Sequence, residues 1–324
     1  MGKPWTTITA LLLVGLMSAC ARDADVRTLK MAHSLDHTHP VHQAIVFMSE
    51  RLDEISGGTM KIDIYPGGQL GSERELMELL QIGSLAMTKV SSSPMEGFVP
   101  AMKVFNIPYV FRDNDHFWRV LNSDQGKQLL LAGDAVNLRG LGYFDAGSRS
   151  FYNVDTPVNT PDDLAGQKIR VQQSQTALKM VQALGGSPTP ISWGELYTAL
   201  SQGVVDGAEN NPPSFYTSKH FEVCKYYTLN EHTSVPDIVL ISSYIWNSLN
   251  AQQQQWLQQA MDEAVVYQRK LWAEKTEEAL VAVEAAGVTI IRPDKAPFME
   301  KVQPMHDSYK GTELYELIQT FKSM

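Results

Sequence analysis

The side chains of this 324-residue sequence that invite chemistry are a knot of histidines, a close pair of carboxylates and two arginines, Arg149 and Arg170. His33, His37, His39 and His42 crowd one short stretch, and imidazoles at that density suggest a metal centre. Their spacing is loose, Pro40 interrupts it and no second ligand group accompanies it. The cluster therefore reads better as a helix start with one residue facing a pocket. Asp206 and Glu209 are close enough for acid–base work, but such pairs are common on solvated turns. No GxSxG elbow, HExxH pair, glycine-rich phosphate loop or GxGxxG fingerprint is present, so no cofactor is expected. Arginine is left as the informative side chain. Its planar guanidinium matches a carboxylate bidentately, which an ammonium cannot do. Taken alone, Arg170 in Lys168-Ile169-Arg170-Val171 fits a solvated strand end or an internal aspartate pair as well as a clamp.

The elements that must position these groups alternate. Leu29 to Ala32 reads as a strand, and Pro40 opens a helix with Val41, Ala44, Ile45, Met48, Leu52 and Ile55 on one face. Gly57-Gly58 ends it and Met60 to Tyr65 is the next strand. Glu73 to Gln81 reads as a helix, Ala86 to Val90 as a strand, and Thr160-Pro161-Asp162-Asp163 as a helix start. Lys168 to Val171 is a strand, Ser174 to Leu184 a helix closed by Gly185-Gly186, and Ser192 to Gln202 a helix stopped by Gly203. This alternation predicts an α/β architecture with mostly parallel sheets. From Asn250 to Ala286 there is no Gly and no Pro. That stretch is either one helix of ~36 residues, roughly 54 Å long, bracing two domains, or two helices with an unmarked break.

Composition sets the outer bounds. Charged residues make up 19% and apolar residues 44%, as in an ordinary globular protein, and the net charge of -9 argues against nucleic acid. Lys3, the apolar run Ile8 to Met17 and the small residues Ser18 and Ala19 have the anatomy of a signal peptide over residues 1–20. Its end at Cys20 predicts a lipoprotein cleavage site, although Met17 stands where such sites usually carry leucine. Cys224 then has no disulfide partner and is expected to be a buried small hydrophobe.

Several blocks carry a resemblance. Tyr65-Pro66-Gly67-Gly68-Gln69-Leu70-Gly71 and Ile107-Pro108-Tyr109 lie near the front, and Ser148-Arg149-Ser150-Phe151-Tyr152-Asn153 and Gly166-Gln167-Lys168-Ile169-Arg170-Val171 follow. Ser187-Pro188-Thr189-Pro190-Ile191-Ser192-Trp193-Gly194-Glu195-Leu196-Tyr197 and Gly203-Val204-Val205-Asp206-Gly207-Ala208-Glu209-Asn210-Asn211 complete the series. In that order, and with the long helix, they resemble the DctP-type solute-binding proteins of tripartite ATP-independent periplasmic (TRAP) transporters over nearly all of the mature chain. The resemblance implies a two-lobed binding-protein fold with a cleft, crossover strands and a long helix spanning both lobes. One lobe would hold residues 25–147 plus about 236–275, the other 148–235 plus about 276–324. It implies a periplasmic, non-enzymatic receptor that delivers a small organic acid to membrane permease subunits.

The site residues follow from the same resemblance. Arg170 falls on the family's carboxylate clamp, Arg149 on a second arginine, Asn210 on an amide for the same carboxylate and Trp193 on an aromatic wall. Glu73 matches a cleft-facing polar position. Lys89, Ser91 and His33, at strand ends, and Gln172, Gln173 and Ser174, directly after Arg170, are expected to meet the far end of the ligand. Hydroxyls would satisfy Glu73 as acceptor and Lys89 as donor, which favours a sugar acid, a uronate or an aldonate. A C4-dicarboxylate or another hydroxy or keto acid is the alternative. An enzyme acting on such acids lacks an activated nucleophile or metal set. A sensor handing its signal to a membrane partner would need the same site.

Overall fold

The computed structural model describes residues 26–324, so the expected leader and Cys20 lie outside them. Among the described residues, eleven strands form two sheets. β1 (Arg27–Ala32), β2 (Met60–Tyr65), β3 (Met87–Ser91) and β4 (Leu138–Phe144) belong to the first. β5 (Arg149–Asn153), β6 (Lys168–Val171), β7 (Ser187–Pro190), β8 (Gly207–Asn210) and β9 (Tyr226–Thr233) belong to the second. β10 (Asp237–Ser242) returns to the first sheet and β11 (Thr289–Ile291) to the second, giving the orders β2-β1-β3-β10-β4 and β11-β9-β5-β8-β6-β7.

The expectation of mostly parallel sheets is corrected. β1 pairs parallel with β2 and β3, β6 with β7 and β8, and β11 with β9. Every pairing made by β5 and β10 is instead antiparallel. The reason is topological. These two strands open directly after the chain passes between sheets, so they start at the inter-sheet end, where β3, β6 and β8 finish. Strand starts and strand finishes are thereby brought to one place.

The long segment is a single helix, Ala251–Ala285, of 35 residues and about 52 Å. Asn250 and Gln253 form a reciprocal capping box at its start. Leu257, Ala260, Met261 and Ala264, at helical spacing, join the core around Met31, Ile45 and Val239 of the first lobe. Val283 joins the core around Tyr152, Phe215 and Tyr227 of the second. Between them the buried Gln268 accepts from the backbone N–H of Asp145 and donates to its carbonyl, both at 2.8 Å. The Asp145 carboxylate takes the N–H groups of Trp118 (3.0 Å) and Gly147 (2.8 Å), which ties down the β4–β5 passage. Gly147 has φ +57°, and a Cβ there would sit 3.1 Å from Nε1 of Trp272.

Three local readings shift. Thr160-Pro161 caps only a 3-10 turn, Pro161–Leu164. Ser192 to Gln202 is a 3-10 turn, Trp193–Glu195, followed by the helix Leu196–Ser201, with the poor helix former Gly194 inside the turn. The last helix, Glu313–Ser323, expected with the second lobe, lays Phe321 about 6 Å from the rings of Phe105 and Phe111 in the first. Burying one phenylalanine contributes about 2 kcal/mol, enough to decide where a terminal helix docks.

Candidate functional site

A cavity of about 280 Å³ lies between the sheets at these strand ends, near the lower size limit of small-molecule sites. Arg149 opens β5 and Asp237 opens β10; Ser91 ends β3, Arg170 lies one residue before the end of β6, and Asn210 ends β8. Nine of the expected residues line it: Glu73, Lys89, Ser91, Arg149, Arg170, Gln172, Gln173, Trp193 and Asn210.

One end is built from arginine. Arg170 is 2% exposed, and its Nε donates to the carbonyl of Ile191 at 2.8 Å. Its buried Nη1 has no hydrogen-bond partner among the described residues, and its guanidinium carbon lies 5.8 Å from the ring centre of Trp193. Burial without a paired acid lowers the pKa of Arg170. Arg149 is in the opposite condition. Glu209 takes its Nε and Nη2 with both carboxylate oxygens, the Nη2 contact being 2.8 Å, and the Glu209 carbonyl takes Nη2 as well at 2.7 Å. Burial opposes the Arg149 charge, but Glu209 outweighs it and raises the pKa. Against the same burial, Arg149 and His232 draw Glu209 down to about 2. Arg149 Nη1 donates to Asn210 Oδ1 at 2.8 Å, and that oxygen also accepts the Asn211 N–H at 2.9 Å. The Asn210 amide is therefore turned with its Nδ2 donors away from Arg149.

The other end is a three-charge group. Lys89, 2% exposed, donates to Glu73 Oε1 at 3.2 Å and to Asp237 Oδ1 at 3.0 Å. Glu73 Oε1 also accepts the Ser91 N–H at 3.1 Å. The second oxygens, Glu73 Oε2 and Asp237 Oδ2, hold no hydrogen bond among the described residues. Burial is the largest influence on Asp237. Together with the Glu73 charge it pushes the carboxyl up to about 6, against the pull of Lys89. The sheets touch here: Ser91 Oγ donates to Gln172 Oε1 at 3.2 Å, and His39 Nε2 lies 3.1 Å from Ser214 Oγ.

Two expected residues are not brought to the cavity. His33 is fully buried, with Nε2 3.0 Å from His42 Nδ1 and Nδ1 accepting the Leu35 N–H at 3.2 Å. Ser174 caps the helix Gln175–Ala183 by accepting the Ala177 N–H at 2.9 Å. Both lie next to cleft residues in sequence but on the wrong side of the backbone. The other histidines divide likewise: His39 caps the helix Pro40–Ile55, and His37 is exposed. Glu209, read above as a possible acid or base, instead neutralises Arg149. Asp237 was missed, its one signal being a lone carboxylate at the head of the apolar run Ile238 to Ile241.

Two α/β lobes around a polar cavity are the architecture of a binding protein. A family model described as bacterial extracellular solute-binding protein, family 7 (DctP), matches residues 31–312, and the chain belongs to that family. It is 38% identical to the Salmonella typhimurium protein YiiZ over 91% of this chain and 92% of that one. A TRAP periplasmic solute-binding protein from Bradyrhizobium sp. BTAi1, solved with α/β-D-galacturonate, superposes with a TM-score of 0.89 at 39% identity, covering 92% of this chain and 100% of that chain. One from Pseudomonas putida F1, solved with D-glucuronate, gives 0.88 at 36% identity, covering 92% and 97%. The family consists of periplasmic receptors for small organic acids, not enzymes.

Proposed function

We propose that the protein is the TRAP receptor for a sugar acid, a uronate such as galacturonate or glucuronate or an aldonate, which it delivers to membrane permease subunits. The observation that carries this reading is Arg170, a buried guanidinium with an unpartnered Nη1 beside a cavity. An unpaired buried charge is costly, and a carboxylate is the group whose geometry completes the fork. Arg149, already neutralised, serves mainly to aim Asn210 at the same carboxylate, and Trp193 walls it. At the other end, Glu73 Oε2 and Asp237 Oδ2 are acceptors for ligand hydroxyls, while the two Lys89 bonds leave that cation little to offer a second anion. The uronates bound by the two similar structures support the same class.

The lobes are taken to divide at 147/148 and 235/236, with the last helix attached to the first lobe. A lipid on Cys20 would tether the protein to the membrane. The test is a thermal-shift screen of residues 21–324 with uronates, aldonates, C4-dicarboxylates and the matching neutral sugars. A ligand at one hundred times its dissociation constant stabilises by about 2.7 kcal/mol, a shift of several degrees. A shift with a sugar acid and none with its neutral sugar is expected. A shift with dicarboxylates alone would overturn the assignment.

A further inference from the structure

The far end of the cavity carries more negative charge than its lysine can balance. Lys89 has two carboxylates within hydrogen-bond distance, and the three groups sum to one net negative charge when both acids are ionised. Among the described residues, no other cation lining the cavity forms an ion pair with Glu73 or Asp237. Arg149 is held by Glu209, and Arg170, on the second sheet, donates to the Ile191 carbonyl. Arg74 pairs with Glu78 at 3.1 Å and lies over the ring of Phe98. Of the two carboxylates, Glu73 is the better satisfied, because its Oε1 accepts both the Ser91 N–H and Lys89. Asp237 accepts from Lys89 alone. Its backbone is fixed between Ser91 of β3 and Phe144 of β4, which keeps the carboxylate at the cavity.

We infer that Asp237 is a specificity-determining residue, supplying the surplus negative charge that excludes ligands with a second carboxylate at that end. The inference rests on Arg170 holding the ligand's first carboxylate and deepens that reading. A hydroxyl arriving at Asp237 Oδ2 donates a hydrogen bond. A carboxylate arriving there meets a like charge in a site shielded from water, where Coulomb repulsion is several times stronger than in solution. The strain already shows within the protein, since burial and Glu73 hold Asp237 near the edge of protonation, at about 6.

The experiment is isothermal titration of the mature chain at pH 8 with D-galacturonate, D-galactonate and galactarate. Galactonate and galactarate share one carbon chain and differ at the far end, hydroxymethyl against carboxylate. The wild type should prefer the better monocarboxylate over galactarate by a wide margin. Asp237→Asn, which keeps an oxygen for Lys89, should reduce that preference at least tenfold. If Asp237→Asn does not fold by circular dichroism, Glu73→Gln removes one charge from the same group and should also reduce the preference. A preference unchanged within twofold in the folded variant overturns the inference. So does galactarate that stays undetectable there, or galactarate bound by the wild type as tightly as a monocarboxylate. Binding of none of the three by the wild type overturns the Arg170 reading itself, whereas intact galacturonate binding with an unmoved preference removes Asp237 alone.

Discussion

The two ends of the cavity hold their cations in opposite states. Arg170 is a positive charge with too few partners, and Lys89 is a positive charge with two. Buried charge is tolerated only when compensated, so the unfilled demand at each end specifies what the ligand must bring. At the arginine end that is an anion, and at the lysine end it is hydrogen-bond donors. Arg149 sharpens the contrast, because it is as buried as Arg170 yet saturated by Glu209. Burial of an arginine beside a cavity is therefore not the signature of a clamp. Burial without an internal acid is what sets Arg170 apart.

The comparison breaks most readily at Arg170. Arg170→Ala should weaken uronate binding by about thirtyfold to several thousandfold by isothermal titration, since breaking a buried charge pair costs about 2–5 kcal/mol. Arg170→Lys should lose at least tenfold because the fork is gone. Binding retained within a few-fold in Arg170→Ala would sink the clamp. Without ligand the same residue should be a liability, so Arg170→Met should melt no lower than the wild type. Glu209→Gln is the converse. It strands the Arg149 charge, at a cost of roughly 3–5 kcal/mol, and should lower the melting temperature by about 5–8 °C. A melting temperature that stays put would mean Arg149 needs no internal counterion.

The smallest expected effect is the pH dependence, and the two carboxylates give it opposite signs. Glu209 has its folded pKa lowered to about 2, so its contribution is present above the ordinary value of 4.5 and is lost as pH falls through 2. Asp237 has its pKa raised from 3.8 to about 6, so folding favours its protonated form and stability falls as pH rises across that interval. Relative to the wild type, Asp237→Asn should gain at most about 3 kcal/mol between pH 4 and pH 6. Parallel stability profiles for the two proteins, measured by urea titration, would place Asp237 in an ordinary environment.

What could be read in the sequence was what is written locally. Met60–Tyr65, Glu73–Gln81 and Lys168–Val171 stand as the strand, helix and strand expected there, the first directly after Gly57-Gly58. The long helix was legible because nothing in it could stop it. The directions of β5 and β10 were not, because they follow from the chain's passage between sheets rather than from any residue within the strands. The same divide runs through the site. Arg170 and Asn210 come with motifs, but the pairing of Arg149 with Glu209 depends on β5 lying beside β8, sixty positions apart in sequence. His33 and Ser174 were misplaced because nearness to a cleft residue does not say which way a side chain turns. Asp237 had no motif, and its importance comes from Lys89, which β3 presents beside it.

Arg149 and Asp237 each open a strand at the point where the chain has just passed from one sheet to the other. Together with the long helix, those passages are the covalent links about which one sheet could rotate against the other. A ligand spanning Arg170 and Asp237 therefore sits beside the fulcrum. The displacement needed to tighten a few hydrogen bonds there is small, and it grows in proportion to distance from the axis. In such a rotation the outer rims of the lobes would move farthest, so the molecule is proportioned as a lever, with a short arm at the cavity and a long arm at the rims.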